Sequence, residues 1–277
     1  MSVNNQPIGV FDSGYGGLTV LKELMKTLPE YDFLYLGDNA RTPYGTRSFD
    51  VVYEYTLEAV KRLFDEGCHL VILACNTASA KALRSIQQRD LPHIAPNRRV
   101  LGVIRPSVEM VAESTQNGHV GVVATSGTVA SESYPIELEK WSTGRVKQTT
   151  QEACPMWVPI VENNVIDTPG ADYFIQTNLD ALFQKDPEID SLILGCTHYP
   201  LLRDSIKKYV PKQVHIIEQG ELVAAKTLDY LERHPEIDQN CSKNATHRFL
   251  TTEDATFFDK RAKQFLGYPI ESVKIEL

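Results

Sequence analysis

The sequence predicts an α/β fold of two similar domains, each a mainly parallel sheet flanked by helices, with an active site in the cleft between them. Short apolar runs alternate with longer segments of helix-like apolar spacing, which indicates βαβ units. Two short motifs recur later in the chain in the same order, which indicates an internal duplication. With 277 residues, 42% of them hydrophobic, the chain is long enough to bury a core in each half.

The elements follow one another in a regular order. The short apolar runs predict buried strands at Ile8–Phe11, Phe33–Leu36, Leu70–Ala74, Val100–Ile104, Val120–Ala124, Leu192–Leu194 and Val214–Ile217. The helical spacing of apolar residues predicts helices at Leu18–Leu28, Val51–Glu66, Ala78–Gln88, Ala171–Phe183 and Leu201–Tyr209. Such alternation favours parallel sheets with helices on both faces.

The duplication rests on two pairs of strand ends. The run IGVFDSG from Ile8 matches VGVVATS from Val120, and VILACNTASA from Val71 matches LILGCTHYPL from Leu192. In open α/β sheets, ligands bind at the carboxyl ends of the strands. We therefore expect the two halves to face each other, with Cys75 and Cys196 delivered to one shared cleft.

Charge and composition narrow the class of protein. The chain has 28 basic and 36 acidic residues and a net charge of −8, which argues against nucleic-acid binding. No apolar run is long enough to span a membrane, and the N-terminus has no secretory signal, so we expect a soluble, cytoplasmic protein. Five widely spaced cysteines without a C-x-x-C pair are typical of reduced thiols, not of disulfides or a zinc site.

Polar residues beside the two cysteines point to acid–base chemistry. Asn76-Thr77 and Thr197-His198 follow the thiols directly, and such surroundings lower a thiol pKa. Asp12 in DSGYGG and His198 are the candidate proton acceptors. Two thiols on opposite faces of a small substrate suit removal of a proton from one face of a carbon and delivery to the other, which inverts a stereocentre.

Each of these residues also has a plainer interpretation. A cysteine after an apolar strand is usually a buried core residue, and DSGYGG can be a strand–helix turn with Asp12 as its N-cap. His198 can be a turn residue before Pro200. Three further cysteines lack a polar strand-end cluster and are interpreted as structural: Cys68, Cys154 and Cys241.

Six segments together resemble the glutamate racemase family, in the family's order and from about Ile8 to Ala225. They are IGVFDSGYGGLTVLKEL, YLGDNARTPYGTRS, VILACNTASA, GVVATSGTV, ACPMWVPIVE and LILGCTHYPLL. The paired cysteine motifs are shared across the wider aspartate/glutamate racemase superfamily. GCTHYPLL and GDNARTPYG are typical of the glutamate branch, because aspartate-specific relatives typically carry Glu where His198 stands.

The resemblance implies roles for individual residues. Cys75 and Cys196 would be the two acid/base thiols, with Asp12 assisting Cys75 and with His198 and Glu162 assisting Cys196. The residues implied to bind the substrate's ammonium and carboxylates are Asp12, Ser13, Tyr44, Gly45, Asn76, Thr77, Thr197 and His198, helped from the facing loop by Thr125, Ser126 and Thr128.

The resemblance also implies a cofactor-independent enzyme, without pyridoxal phosphate or metal, that supplies D-glutamate for peptidoglycan synthesis as a homodimer. Its first domain would comprise residues 1–99 and 209–277, and its second residues 100–208. Neither nucleic acid nor membrane is an expected partner. Two positions depart from the common family pattern, Tyr15 and the pair Glu218-Gln219, and we expect neither to touch a catalytic position.

Three other functions remain open. The same chemistry on aspartate or a hydantoin would differ in the residues that receive the side chain. A cysteine hydrolase would use Cys196 with His198, although a two-residue separation rarely points both side chains productively and Cys75 would have no role. A small-acid-binding regulator with inert cysteines would bind glutamate without exchanging its α-proton.

Overall fold

The computed structural model describes residues 6–277. The prediction that the chain starts without a secretory signal falls partly on residues 1–5, which lie outside this range. The strands of the described range are β1 (Ile8–Asp12), β2 (Phe33–Gly37), β3 (Leu70–Leu73), β4 (Arg99–Gly102), β5 (His119–Ala124), β6 (Gln148–Ala153), β7 (Ser191–Gly195), β8 (His215–Ile217), β9 (His247–Thr251) and β10 (Ser272–Lys274).

Helices connect almost all of these strands. They are α1 (Gly17–Thr27), α2 (Phe49–Asp65), α3 (Asn76–Lys81), α4 (Leu83–Ser85), α5 (Leu91–Ile94), α6 (Ile104–Ser114), α7 (Ser126–Ala130), α8 (Ser133–Trp141), α9 (Trp157–Glu162), α10 (Pro169–Lys185), α11 (Arg203–Tyr209), α12 (Gln219–Arg233), α13 (Pro235–Asp238) and α14 (Ala255–Leu266). Within the part of the chain that the structure describes, no helix is long and apolar enough to cross a membrane.

The strands form two sheets in which every neighbouring pair is parallel. The larger sheet has the order β10-β9-β2-β1-β3-β4, and the smaller has the order β6-β5-β7-β8. The strands that carry the repeated motifs occupy equivalent places, because β1 lies beside β3 in one sheet and β5 lies beside β7 in the other. This equivalence supports the duplication, and it confirms the predicted fold class.

Apolar residues on both faces of the strands explain the three hydrophobic cores. Val10 and Ile72 of the larger sheet share one core with Val123 and Leu194 of the smaller sheet, so a continuous apolar region joins the two halves. The opposite face of the larger sheet packs on α2, and the opposite face of the smaller sheet packs on α6 and α8. Burial on both faces is what parallel strands require.

The chain crosses between the sheets twice. It leaves the larger sheet after β4, passes through Val103 and enters α6; it leaves the smaller sheet after β8, passes through Glu218 and enters α12. The predicted boundaries at residues 100 and 208 cut inside β4 and before β8, yet β4 pairs with β3 and β8 pairs with β7. Judged by the sheet to which each strand belongs, the first crossing therefore lies after β4 and the second after β8, later in the chain than the predicted boundaries. The division into two domains stays a prediction.

Several predicted elements differ from the structure. Ile104 belongs to α6 and not to the preceding strand. The helix predicted at Ala78–Gln88 is interrupted after Lys81 and widens into a π-helical turn at Ile86–Asp90. The first residues of the helix predicted at Leu201–Tyr209 form a 3₁₀ turn instead, Tyr199–Leu202.

Candidate active site

A cavity of about 290 Å³ lies where the carboxyl ends of the two sheets face each other. Both cysteines and almost all of the predicted site residues line it. Its lining residues are Asp12, Ser13, Thr42, Pro43, Tyr44, Gly45, Thr46, Cys75, Asn76, Thr77, Thr125, Ser126, Cys154, Pro155, Val158, Pro159, Glu162, Asn163, Cys196, Thr197 and His198.

The first thiol, Cys75, caps the N-terminus of α3. Its Sγ accepts a hydrogen bond from the Ala78 backbone N–H at 3.4 Å and lies 3.4 Å from Ser13 Oγ. Burial raises the pKa of Cys75 to about 12, and the nearby charge of Asp12 adds to the shift, although both hydrogen bonds oppose it. Cys75 is therefore a protonated thiol before substrate enters, which contradicts the lowered pKa that its neighbours suggested.

Asp12 ends β1 beside both thiol sites. It is buried, and its Oδ1 accepts a hydrogen bond from the Gly14 backbone N–H at 2.8 Å. Its Oδ2 lies 3.5 Å from the hydroxyl of Thr197, which comes from the other sheet. Burial raises the pKa of Asp12, while the charge of His198 and the backbone hydrogen bonds oppose that shift. A carboxyl group with a raised pKa is suited to exchanging a proton near neutral pH.

The second thiol, Cys196, lies beside a histidine–glutamate pair. Its Sγ is 3.8 Å from His198 Nδ1, and His198 Nε2 is 3.0 Å from Glu162 Oε1. Burial alone would lower the pKa of His198, but the hydrogen bonds to Cys196 and Glu162 raise it to about 10. Cys196 therefore has a cationic neighbour, whereas Cys75 has an acidic one.

The contact between Cys196 and His198 corrects one expectation. The two-residue separation does bring the thiol and the imidazole together, because the chain turns tightly after β7. Behind His198, the ring of Phe265 packs edge-on at 5.7 Å, and Arg261 donates to the Glu162 carbonyl oxygen at 2.7 Å. The segment around α14 thus supports the histidine–glutamate pair from outside the cavity.

Three threonine hydroxyls join the two halves at one wall of the cavity. Thr77 Oγ1 lies 2.9 Å from Thr125 Oγ1 and 3.4 Å from Thr128 Oγ1. Thr128 does not line the cavity itself but contacts the two threonines that do. Gly45 lies against Thr125, so the loop before α2 closes on the same wall.

Other predicted binding residues have their polar atoms engaged elsewhere. Tyr44 lines the cavity, but its hydroxyl donates to buried Asp38. Asn76 lines the cavity, and its side-chain amide donates to Gln219 at 2.6 Å and accepts from Tyr134 at 2.8 Å. Of the pair Glu218-Gln219, Gln219 is therefore bonded directly to Asn76, which was predicted to bind substrate and not to be catalytic.

Close packing at the start of α1 explains one glycine of the DSGYGG motif. A Cβ atom at Gly16 would clash with Thr197 Oγ1 and with the His198 ring. Tyr15, the other family departure, stacks on Phe258 and Phe265 at 5.3 and 5.9 Å between ring centres.

Sequence reasoning missed several lining residues. Cys154 was interpreted as structural, yet it lies in the cavity wall, although its thiol is buried and its pKa is raised well above the ordinary value by burial. The other missed residues are Thr42, Pro43, Thr46, Pro155, Val158, Pro159 and Asn163. All except Asn163 belong to RTPYGT and ACPMWVPIVE, which contributed to the family resemblance but contain no reactive strand end of their own.

The lining offers little to a cofactor or a metal. Among the lining side chains of residues 6–277 there is no lysine that could form a Schiff base. No group of three or more His, Cys, Asp and Glu side chains in that range is arranged to hold a metal ion. The groups available for chemistry are the two thiols, the carboxyl groups of Asp12 and Glu162, and the His198 imidazole.

The chain is similar to known racemases in sequence and in fold. The sequence profile of the Asp/Glu/Hydantoin racemase family matches residues 14–227. A glutamate racemase from Roseobacter denitrificans is 42% identical over 274 residues, which is 95% of this chain and 98% of that protein. The crystal structure of glutamate racemase isoform RacE1 from Bacillus anthracis has a TM-score of 0.89 at 36% identity, covering 99% of this chain and 98% of the other.

A third similar protein was solved with an amino acid bound. The glutamate racemase of Francisella tularensis in complex with D-glutamate has a TM-score of 0.86 at 32% identity, covering 99% of this chain and 98% of that one.

The fold, with these relatives and similar structures, shows an enzyme of the racemase class. The chain belongs to the Asp/Glu/Hydantoin racemase family, within its glutamate racemase branch.

Proposed function

We propose that this enzyme interconverts L- and D-glutamate without a cofactor, by proton transfer between two thiols and the α-carbon. The observation that carries the proposal is that Cys75 and Cys196, from different sheets, line one small cavity, each with its own proton-exchanging neighbour. Free glutamate fits this lining, because threonine and serine hydroxyls and the His198 cation can receive its carboxylates.

The reaction moves one proton from the α-carbon to one thiolate and another proton from the opposite thiol to the α-carbon. One thiolate takes the α-proton, and the pair of electrons from the broken C–H bond stays on the α-carbon. The thiol on the other face then donates its proton to that carbon, so that the configuration is inverted and the thiol and thiolate have exchanged roles. By analogy with the family, Cys196 takes the proton from L-glutamate and Cys75 takes it from D-glutamate.

The two thiol sites differ in their neighbouring charges. Burial keeps Cys75 protonated, while the raised pKa of His198 supplies a cation beside Cys196. Asp12 is the group that can take the proton of Cys75 when D-glutamate is the substrate.

Isotope exchange tests the proposal directly. Purified enzyme incubated with L-glutamate in D₂O, without added cofactor, should replace the α-proton by deuterium while the circular dichroism of the solution falls to zero. Activity should also survive dialysis and carbonyl-trapping reagents. Glutamate binding without exchange would instead indicate a regulator, and a covalent acyl-enzyme formed from an ester substrate would indicate a hydrolase.

We also propose that the product feeds peptidoglycan synthesis in the cytoplasm and that the active form is a homodimer. The family resemblance supports the pathway and the dimer, and five free cysteines support a reducing compartment. Expression of the chain should restore growth of a bacterium that requires D-glutamate, and sedimentation should give twice the mass of one chain. Growth that still requires D-glutamate, despite an active purified enzyme, would contradict the pathway alone.

A further inference from the structure

A buried ring of side-chain hydrogen bonds lies directly behind Asn76. Gln219, Tyr134 and Asn76 each contact the other two: Gln219 Nε2 donates to Tyr134 Oη at 2.8 Å, Tyr134 Oη donates to Asn76 Oδ1 at 2.8 Å, and Asn76 Nδ2 donates to Gln219 Oε1 at 2.6 Å. All three side chains are buried. The ring joins α12, α8 of the smaller-sheet half and the strand end that carries Cys75.

One backbone carbonyl determines the direction of every bond in this ring. Gln219 Nε2 lies 3.1 Å from the carbonyl oxygen of Val103, which can only accept a hydrogen bond. The amide of Gln219 must therefore turn its nitrogen to Val103 and its oxygen to Asn76. Because that oxygen can only accept, Asn76 must present its nitrogen to Gln219 and its oxygen to Tyr134.

The ring leaves Asn76, a residue of the cavity wall, with one amide hydrogen that no bond of the ring uses. One of the two hydrogens on Nδ2 is used by Gln219, and Oδ1 is turned to the hydroxyl of Tyr134. A group that offers an N–H at the cavity wall suits a carboxylate, whereas an amide turned the other way would offer an oxygen and repel it. Asn76 is adjacent to Cys75 and lines the same cavity. The orientation of its amide therefore affects how a substrate binds beside that thiol.

We propose that Gln219 is a positioning residue. The Val103 carbonyl orients the side-chain amide of Gln219, and this amide holds Asn76 in the orientation that donates a hydrogen bond to a substrate carboxylate. This inference rests on the proposed function, because glutamate supplies the carboxylate. Gln219 itself does not line the cavity, so it acts only through Asn76.

Calorimetric binding of D-glutamate provides the test, because it does not require activity. Gln219→Met, of nearly equal volume, should raise the dissociation constant about tenfold, as expected when one donor to a charged group is lost. Gln219→Leu should do the same and serves as the second variant if Gln219→Met fails to fold. Ser107→Ala is the matched control: Ser107 contacts Gln219 at 3.0 Å but not Asn76, so its dissociation constant should stay within about twofold of wild type.

A double-mutant cycle separates positioning from general loosening. In an Asn76→Ala background, Gln219→Met should weaken D-glutamate binding less than about twofold further, because the residue it orients is gone. A full tenfold loss in that background would overturn the proposal, as would wild-type binding by folded Gln219→Met. If the wild-type enzyme itself fails to bind or racemise glutamate, the proposed function fails before this inference is reached.

Discussion

At the scale of the residue, the most direct prediction concerns the replacement of each thiol. Cys75→Ser and Cys196→Ser should each abolish measurable racemisation in both directions, because inversion needs a proton acceptor on one face and a donor on the other. A serine hydroxyl is too weak an acid to become a useful base at neutral pH, yet it preserves the size and the hydrogen bonding of the site.

Half of the chemistry should survive in each variant. A glutamate analogue with a leaving group on the β-carbon needs only loss of the α-proton, after which the electron pair forms the double bond and expels the group. Cys75→Ser should therefore eliminate from the L-analogue and fail on the D-analogue, and Cys196→Ser should show the reverse. Equal loss of both eliminations in both variants would mean that the thiols do not serve separate faces.

The raised pKa of His198 predicts how stability depends on pH. Because the hydrogen bonds to Cys196 and Glu162 raise this pKa from 6.5 to about 10, the protonated ring stabilises the folded state fully below about pH 6.5. That contribution is lost as the pH rises towards 10. In urea unfolding, the stability advantage of wild type over His198→Gln should shrink steadily between these values, and a constant difference would show that the ring does not titrate there.

The residues of the site were predictable wherever a short local pattern carried them. Asp12, Cys75 and Cys196 each follow an apolar strand directly, so the sequence itself places them at a sheet edge. Gln219 and Cys154 reach the site only through the packing of distant segments, and no local pattern marks them. The pKa of Cys75 was predicted to be lowered, yet it is raised, because the effect of burial outweighs that of its hydrogen bonds.

At the scale of the element, the start of α1 is sensitive to one methyl group. Gly16→Ala would place a Cβ atom against Thr197 and His198, so the helix or the turn after Cys196 must shift. We expect turnover to fall at least about tenfold, because catalytic groups tolerate little displacement. Gly170→Ala is the matched control, since a Cβ atom at this glycine of α10 would meet only Thr168 Oγ1, at 3.9 Å.

Steady-state kinetics and melting temperatures of the Gly16→Ala and Gly170→Ala variants test this expectation. Gly170→Ala should retain full activity. A fully active Gly16→Ala enzyme would show that the contact between α1 and the Cys196 turn does not constrain the site.

Seven strands were predicted from their apolar runs, including the edge strands β4 and β8, whereas β6, β9 and β10 were missed. β1, β2, β5 and β7 are buried on both faces and read as apolar runs. β6, with the sequence QTTQEA, lies at the edge of the smaller sheet and needs no apolar run. β10 is likewise an edge strand. β6 and β10 are strands because their backbones pair with β5 and β9, not because of an apolar pattern.

At the scale of the whole molecule, a ligand held by both sheets should stabilise the fold. At a hundred times its dissociation constant, a ligand that binds only the folded state adds about 2.7 kcal/mol. For a chain of this size that corresponds to a rise in melting temperature of roughly 5 °C. Scanning calorimetry should show this rise with either enantiomer of glutamate and not with L-lysine, which lacks the second carboxylate. No rise with glutamate would contradict its binding in the cavity.

The two crossings between the sheets also constrain motion. Val103 lies on the first crossing and Gln219 begins the helix after the second, and their hydrogen bond ties the two passages together. We expect any relative motion of the two sheets to be mainly a rotation about the line that these two passages define. Such a rotation would separate the parts of the cavity rim farthest from the line, while Asn76 and Tyr134, bonded beside it, would scarcely move. If substrate and product pass through the gap opened in this way, turnover should fall as the viscosity of the solvent rises.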